Sequence, residues 1–175
     1  MDALTFLSQQ VATNADYRII RSAPATEPAL TACENAISSR LPLSLLHCLK
    51  ISDGFELLDP AVSIVRVYSA SEIAASTIGM REFWFYPDGM SPWGDFIELA
   101  RSDHTESTYA VHPVAADNDE TPLHEIWSEG THTWQTDPPL APTFGQWLMT
   151  IAEAISTGDH QRVYDALWRD PAKRG

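Results

Sequence analysis

The sequence predicts an α+β fold, because its two ends carry helical patterns and its middle carries strand patterns. At both ends, apolar residues recur at steps of three and four positions, which is the period of an amphipathic helix. In between, short runs of β-branched and aromatic residues are separated by Gly, Pro and Asp, as is typical of strands joined by turns. We therefore expect a central, mainly antiparallel sheet flanked by an N-terminal helical hairpin and by C-terminal helices.

The first predicted element is a short amphipathic helix. Leu4, Leu7 and Val11 lie at helical spacing, which predicts an N-terminal helix over 2–13. Residues 21–28 are rich in small residues and proline and predict an extended linker. A second helical stripe follows the linker and consists of Leu30, Cys33, Ile37 and Leu41.

A proline corner separates this second helix from a third. Leu41 is pushed out of the α region because Pro42 follows it, and Pro42 itself suits the first turn of a helix. The apolar residues of the third helix are Leu45, Leu46, Leu49 and Ile51. Gly54 can take the left-handed conformation of a C-terminal cap. Two helices that meet at the corner form the predicted hairpin.

The middle of the chain predicts several short strands. The runs rich in β-branched and aromatic residues are 62–68, 82–86, 94–99 and 108–111. Residues 124–127 and 132–134 flank a Ser-Glu-Gly turn and predict a hairpin. After the first run, Ser69 and Glu72 have the spacing of a capping box, which predicts a short helix that ends near Gly79.

The last segment of the chain is again predicted as helix. Thr143 and Gln146 form a second capping-box pattern. The apolar face that follows consists of Phe144, Trp147, Leu148, Ile151 and Ile155. Gly158 predicts the end of this helix, and Asp159 is a suitable cap for a final helix over 159–169.

The length of 175 residues predicts a single domain, 1–175. Neither an internal repeat nor a low-complexity tract divides the chain. We expect the core of this domain over 28–157. The N-terminal helix and the helix over 159–169 are then extensions of that core.

The charge of the chain excludes two classes of partner. There are 24 acidic and 11 basic residues, which give a formal net charge of −13. Nucleic acid and anionic lipid surfaces carry the same sign, so we expect no direct nucleic-acid binding. No apolar run approaches the roughly 20 residues of a membrane helix, and the N-terminus lacks the basic region of a secretory signal. We therefore expect a cytoplasmic protein with no membrane partner.

Residues with metal or nucleophile chemistry form no familiar motif. Cys33 and Cys48 fall on apolar helix faces, where the role of a small buried hydrophobe is expected. The six histidines include no pair at the close spacing of a zinc motif. Nucleophile elbows, phosphate-binding loops and dinucleotide fingerprints are missing from the sequence. We expect no catalytic residue, no metal and no cofactor, with an unrecognised hydrolase as an alternative.

Four stretches of the sequence carry a resemblance to a known family. They are 33–42, which ends in a Leu-Pro corner; 49–55, with a Ser-Asp-Gly turn; 94–99, Gly-Asp-Phe-Ile-Glu-Leu; and 143–148, Thr-Phe-Gly-Gln-Trp-Leu. In this order and spacing they resemble the SUKH superfamily, which contains immunity proteins of bacterial toxin systems and related regulators of cell-wall synthesis. The resemblance implies a SUKH-like fold that binds other proteins and has no catalytic residues.

An uninterrupted acidic stretch suggests how a partner is recognised. Between Arg101 and Arg162 there are ten acidic residues and no Lys or Arg. This stretch is either a solvated surface that keeps the protein soluble or an acidic face that attracts a basic partner. Trp93, between Pro and Gly, is a plausible aromatic anchor. The candidate partner-binding residues, all in predicted turns, are Asp53, Glu56, Asp59, Asp88, Trp93, Asp117, Asp119 and Glu120.

Two functions are compatible with these patterns. The first is an immunity-type protein that binds a cognate toxin and neutralises it by stoichiometric occlusion. Nuclease toxins are basic because they hold phosphate, so an acidic inhibitor fits such a toxin. The alternative is an intracellular protein-binding scaffold or regulatory module with no toxin partner. The product of the neighbouring gene would discriminate the two.

Overall fold

The computed structural model describes residues 2–59, 62–83, 96–105, 107–114, 118–127 and 138–167, without the side chains of Glu82, Phe83 and Trp127. Within these ranges there are six helices and six strands. The helices are α1 (Ala3–Thr13), α2 (Glu27–Ile37), α3 (Leu43–Ile51), α4 (Ala70–Phe83), α5 (Phe144–Thr157) and α6 (His160–Leu167). The strands are β1 (Arg18–Arg21), β2 (Phe55–Asp59), β3 (Val62–Val67), β4 (Ile97–Ser102), β5 (Ser107–Val111) and β6 (Leu123–Trp127). The predicted α+β class is confirmed.

The six strands form one antiparallel sheet in the order of the sequence, from β1 to β6. Side chains of directly paired residues point to the same face of a sheet. Leu57 pairs with Val65, and both are fully buried, so their side is called the core face. Glu56 pairs with Ile20 and Arg66 on the opposite side, which is called the outer face.

Helices α5 and α6 pack on the core face. The Tyr109 ring of β5 lies 4.7 Å from the Trp147 ring of α5. Its hydroxyl donates a hydrogen bond of 2.8 Å to the carbonyl of Leu167, and Trp147 Nε1 donates one of 3.0 Å to the carbonyl of Ala166. Buried aromatic groups that satisfy their polar atoms in this way hold the end of α6 against the sheet.

Both terminal helices contribute to the same hydrophobic core as the sheet. α1 packs along α5 and buries Leu4, Leu7 and Val11. α6 buries Val163 and Leu167. All five side chains belong to the cluster that contains the core face. The segments predicted as extensions therefore complete this core.

The second half of α4 lies on the outer face, over β4. The buried carboxylate of Glu98 accepts hydrogen bonds from the hydroxyls of Tyr68, at 3.0 Å, and Ser76. Thr77 accepts one from the Glu98 amide at 3.2 Å. A smaller apolar cluster lies beside them and consists of Phe96, Ala110, Ile126 and Met80. The sheet is thus covered on both faces at this end.

Three local predictions differ from the structure. α2 ends at Ile37, and Ser38 takes a left-handed conformation with φ of 57°. α2 then lies against α4, while α3 contacts α1 and α5, so the corner does not produce the predicted hairpin packing. α4 continues past Gly79 to Phe83, which makes the predicted strand at 82–86 wrong for its first two residues.

Two strands of the sheet were not predicted from the sequence. β1 overlaps the start of the predicted linker, and β2 follows the predicted helix cap directly. Neither strand alternates apolar and polar residues: β1 reads Arg-Ile-Ile-Arg, and β2 reads Phe-Glu-Leu-Leu-Asp, with an irregularity in its pairing between Leu57 and Leu58. Of the predicted strand 94–99, residues 97–99 are confirmed as part of β4, and Phe96 is described but precedes the strand. The other residues of 94–99, the rest of 82–86 and the hairpin arm 132–134 lie outside the described residues.

Candidate partner-binding site

A groove of about 560 Å³ lies on the outer face over β1, β2 and β3, where α4 begins. We call it the β1–β3 groove. Its charged side chains are Asp53, Glu56, Arg66 and Glu72. Three carboxylates and one guanidinium give the groove a net negative charge. The rest of the lining consists of three serines and of Ile20, Gly54, Phe55 and Val67.

Gly54 forms the floor of the groove at its end near α4. Its φ is +81°, a conformation that L side chains rarely adopt. A Cβ at this position would lie 2.8 Å from the Ser69 amide nitrogen and 2.9 Å from the Val67 carbonyl oxygen. The backbone between β3 and α4 therefore approaches Gly54 more closely than any side chain allows.

Two carboxylates of the groove hold the N-terminus of α4. Glu72 accepts a hydrogen bond of 2.9 Å from the Ser69 amide, and Ser69 Oγ accepts one of 3.3 Å from the Glu72 amide, which confirms the predicted capping box. Glu72 also forms an ion pair with Arg66. Asp53 accepts a hydrogen bond of 2.7 Å from the Ala70 amide. These bonds fix the wall of the groove.

The pKa of Glu72 reflects these contacts. Burial raises the pKa of this carboxyl group, but hydrogen bonds from Ser69 and the charge of Arg66 outweigh the burial. The net result is a pKa below the usual value of 4.5. Glu72 is therefore negatively charged at neutral pH, and its charge is already paired with Arg66 and the Ser69 amide.

Glu56 has a different environment from these two acids. Its side chain forms no hydrogen bond or ion pair with another described residue. It is half-buried in β2, with Ile20 as its partner in β1 and Arg66 as its partner in β3. Ile20 is 57% exposed. An uncommitted carboxylate thus lies beside an exposed apolar side chain.

The structure separates Asp59 from the groove. Asp59 and Glu56 both lie in β2, so the prediction that they occupy turns is wrong. The reason is that the turn signal ends at Gly54, and pairing with β1 and β3 makes the next residues a strand. Asp59 Oδ2 accepts a hydrogen bond of 3.0 Å from the Tyr164 hydroxyl and lies 3.6 Å from His160 Nδ1.

Glu120 holds the beginning of α3. Its carboxylate accepts hydrogen bonds from the Ser44 amide at 2.7 Å and from the Ser44 hydroxyl at 2.9 Å. The same hydroxyl accepts a bond of 3.1 Å from the Gly145 amide, in the first turn of α5. Pro42 supplies no side-chain cap for α3. Glu120 therefore provides the missing acceptor from a distant part of the chain.

The neighbouring Asp119 makes an exposed contact. Its side chain pairs with Arg40 at 3.2 Å, and its carbonyl accepts a hydrogen bond of 2.8 Å from the Leu43 amide. Of the other candidate residues, Asp88, Trp93 and Asp117 lie outside the described residues. The groove thus brings together Asp53 and Glu56 of the predicted set and adds Ile20, Arg66 and Glu72 to them.

Several acids of the stretch 101–162 are committed to local structure. Asp103 pairs with Arg101, and Glu125 accepts a hydrogen bond of 2.7 Å from the Ser107 hydroxyl. Asp159 accepts one of 3.0 Å from the Gln161 amide and caps α6, as predicted. Glu153 is exposed on α5. The described acids of this stretch therefore have several separate local roles and do not act as one acidic face.

Other reactive groups are buried or scattered. Cys33 and Cys48 are free and buried, as predicted. Burial raises the pKa of the Cys33 thiol to about 11 and that of Cys48 to about 12. Within the described part of the chain, no three His, Cys, Asp or Glu side chains are grouped closely enough to hold a metal ion. No helix in the described ranges combines the length and the apolar character needed to cross a bilayer.

No protein-family model matches the chain, and no curated protein is significantly similar to it. The resemblance to the SUKH superfamily therefore depends on the four sequence stretches quoted above.

Proposed function

We propose that this protein is an immunity-type binding protein of SUKH-like fold that acts in the cytoplasm and neutralises a cognate, basic toxin by occluding it. The observation that carries the proposal is the β1–β3 groove. There, the uncommitted carboxylate of Glu56 lies beside Ile20, which is 57% exposed. A charged group that is ready to pair, next to an apolar anchor, is the arrangement expected at the centre of a protein interface.

The charge of the protein supports a basic partner. The net charge of −13 attracts a positively charged protein over a distance and increases its association rate. The active site of a nuclease is one such surface, because it binds phosphate. Covering it with a rigid body prevents substrate access without any chemical step. The protein therefore acts stoichiometrically and not as an enzyme.

The rigidity of the groove supports binding by occlusion. Its floor is the close backbone contact at Gly54, and its wall is the capped N-terminus of α4. A preformed surface loses little conformational entropy on binding, so more of the contact energy appears as affinity. We expect the groove to bind its partner with little rearrangement.

Coexpression with the product of the neighbouring gene, as the candidate toxin, tests the proposal. The wild-type protein should restore growth and form a stoichiometric complex with the toxin. Glu56→Lys should weaken the complex by roughly tenfold or more, because it replaces attraction by repulsion at the groove. Glu153→Lys is the matched control, since it makes the same charge change on an exposed position of α5, which packs on the core face.

Two results would contradict this function. If the wild-type protein neither binds the toxin nor restores growth, the immunity proposal is wrong and the scaffold alternative is favoured. If Glu56→Lys and Glu153→Lys weaken binding equally, net charge alone explains the effect and the groove is not the binding site. Association rates should be measured at increasing ionic strength. Salt screens long-range electrostatic attraction, so the part of the rate that depends on salt reports that attraction and not the contacts in the groove.

A further inference from the structure

β1 is the outermost strand of the sheet. It pairs with β2 on one side, and no strand among the described residues pairs with its other side. At the far end of the sheet, the edge of β6 is partly covered, because Leu123 exchanges hydrogen bonds with Leu140 and Ala141. Among the described residues, no strand pairs with the outer edge of β1 at any position, whereas the edge of β6 is paired at Leu123.

The register of β1 shows which backbone groups face this outer edge. The Ser22 amide donates to the Gly54 carbonyl at 3.4 Å, and the same register pairs Ile20 with Glu56. In an antiparallel pair, alternate residues point their amides and carbonyls toward the partner strand. The backbone amide and carbonyl of Ile20 therefore face β2, whereas those of Ile19 and Arg21 face outward.

The outer edge of β1 adjoins the β1–β3 groove. Ile20 and Ser22 belong both to the outer face of this edge and to the groove lining. A strand added beside β1 would place alternate side chains next to Ile20, on the same face as Glu56. The negative charge of the groove favours Lys or Arg at those positions.

A second copy of this chain fits the edge poorly. Two β1 strands side by side would bring the four arginines at positions 18 and 21 into one short ribbon, where like charges oppose pairing. An extended segment of a basic partner protein is not restricted to these positions: it can place its cations beside Ile20 and Ser22, over the groove carboxylates and away from Arg18 and Arg21. The charge pattern thus selects a different protein as the occupant.

We infer that the partner binds by strand addition: an extended Lys- or Arg-containing segment pairs with the edge of β1 and lays its basic side chains over the β1–β3 groove. This inference rests on the proposed function, because it assigns the binding mode of that same surface. Main-chain hydrogen bonds to Ile19 and Arg21 would supply affinity, and Glu56 would supply selectivity for basic residues.

Amide hydrogen exchange of the full chain tests this inference without the toxin. The probe is a synthetic peptide of about eight residues in which Lys and Val alternate. At saturation, exchange of the Ile19 and Arg21 amides should slow by roughly tenfold or more, while the Arg18 and Ile20 amides, already bonded to β2, should change little. A peptide of alternating Glu and Val is the control. Equal protection by both peptides, or none by either, would overturn the inference.

A pair of variants tests the same point with the toxin. Arg21→Pro removes the outward amide, whereas Arg21→Ala removes the same side chain and keeps the amide. Strand addition requires that Arg21→Ala binds the toxin and that Arg21→Pro binds at least roughly tenfold more weakly, with circular dichroism as a check on folding. Equal binding by both variants would refute strand addition and leave the proposed function intact. If the wild-type protein does not bind the toxin, the proposed function is wrong, and the peptide experiment would still decide the binding mode.

Discussion

Replacing Glu120 by alanine tests whether this carboxylate stabilises the start of α3 or is available to bind a partner. The sequence predicts a partner-binding residue, whereas in the structure Glu120 accepts two hydrogen bonds from Ser44, at 2.7 and 2.9 Å. Ser44 in turn accepts from the Gly145 amide. The substitution therefore removes an acceptor that connects the N-termini of α3 and α5.

The size of the effect follows from these contacts. A hydrogen bond to a charged group contributes about 1.5–3 kcal/mol, and a lost N-terminal cap costs about 1 kcal/mol. Ser44 and Glu120 are both half-buried, so water compensates part of the loss. We expect Glu120→Ala to lower the free energy of unfolding by about 1.5–2 kcal/mol. For a chain of this length, Tm should fall by about 3–8 °C.

Urea unfolding followed by circular dichroism measures this change. Asp119→Ala is the matched control, because it removes the adjacent carboxylate and an exposed ion pair with Arg40 but keeps the backbone carbonyl that accepts from Leu43. Exposed ion pairs contribute about 0–1 kcal/mol. The control should therefore lose much less stability than Glu120→Ala.

The reasoning also predicts coupling between Glu120 and Ser44. Ser44→Ala and Glu120→Ala remove parts of the same network, so the double variant should lose less stability than the sum of the two single variants. If Glu120→Ala is as stable as Asp119→Ala, the capping role is wrong. If Glu120→Ala also weakens binding to the proposed toxin partner, the residue has the partner-binding role that its position in the sequence suggested.

Two further predictions concern the groove. Gly54→Ala should lower the free energy of unfolding by about 2 kcal/mol or more, because Gly54 has a positive φ and a Cβ there would lie too close to the Ser69 amide. Gly79→Ala is the control in the same urea assay. A Cβ at Gly79 would meet open space, so this substitution should be neutral or stabilising. The lowered pKa of Glu72 means that its stabilising contribution is present above pH 4.5 and is lost as the pH falls through the lower folded-state pKa. Glu72→Gln should therefore lose less stability than wild type on acidification below pH 4.5; parallel acid curves would contradict the role of this charge.

Local signals in the sequence were sufficient for most of the helices. Thr143 caps α5 and Gly158 ends it with a positive φ, and the capping box of Ser69 and Glu72 begins α4. Such features depend on residues three or four positions apart, so the sequence displays them directly. Where α4 ends was harder to predict. The guanidinium of Arg81 donates to the carbonyl of Ile37, a contact with a distant helix that no local pattern contains.

The sequence alone determined that this chain is an acidic α+β protein whose helices begin and end at recognisable caps, because composition and capping are local properties. Only the tertiary structure decided which carboxylates remain available. Glu120 is committed to Ser44, 76 positions away, whereas Glu56 is left uncommitted beside Ile20 by the pairing of β1 with β2. Both acids lie in predicted turns of the sequence, so no local pattern distinguishes them. Their roles differ because strand pairing and long-range hydrogen bonds depend on where the folded backbone brings distant residues together.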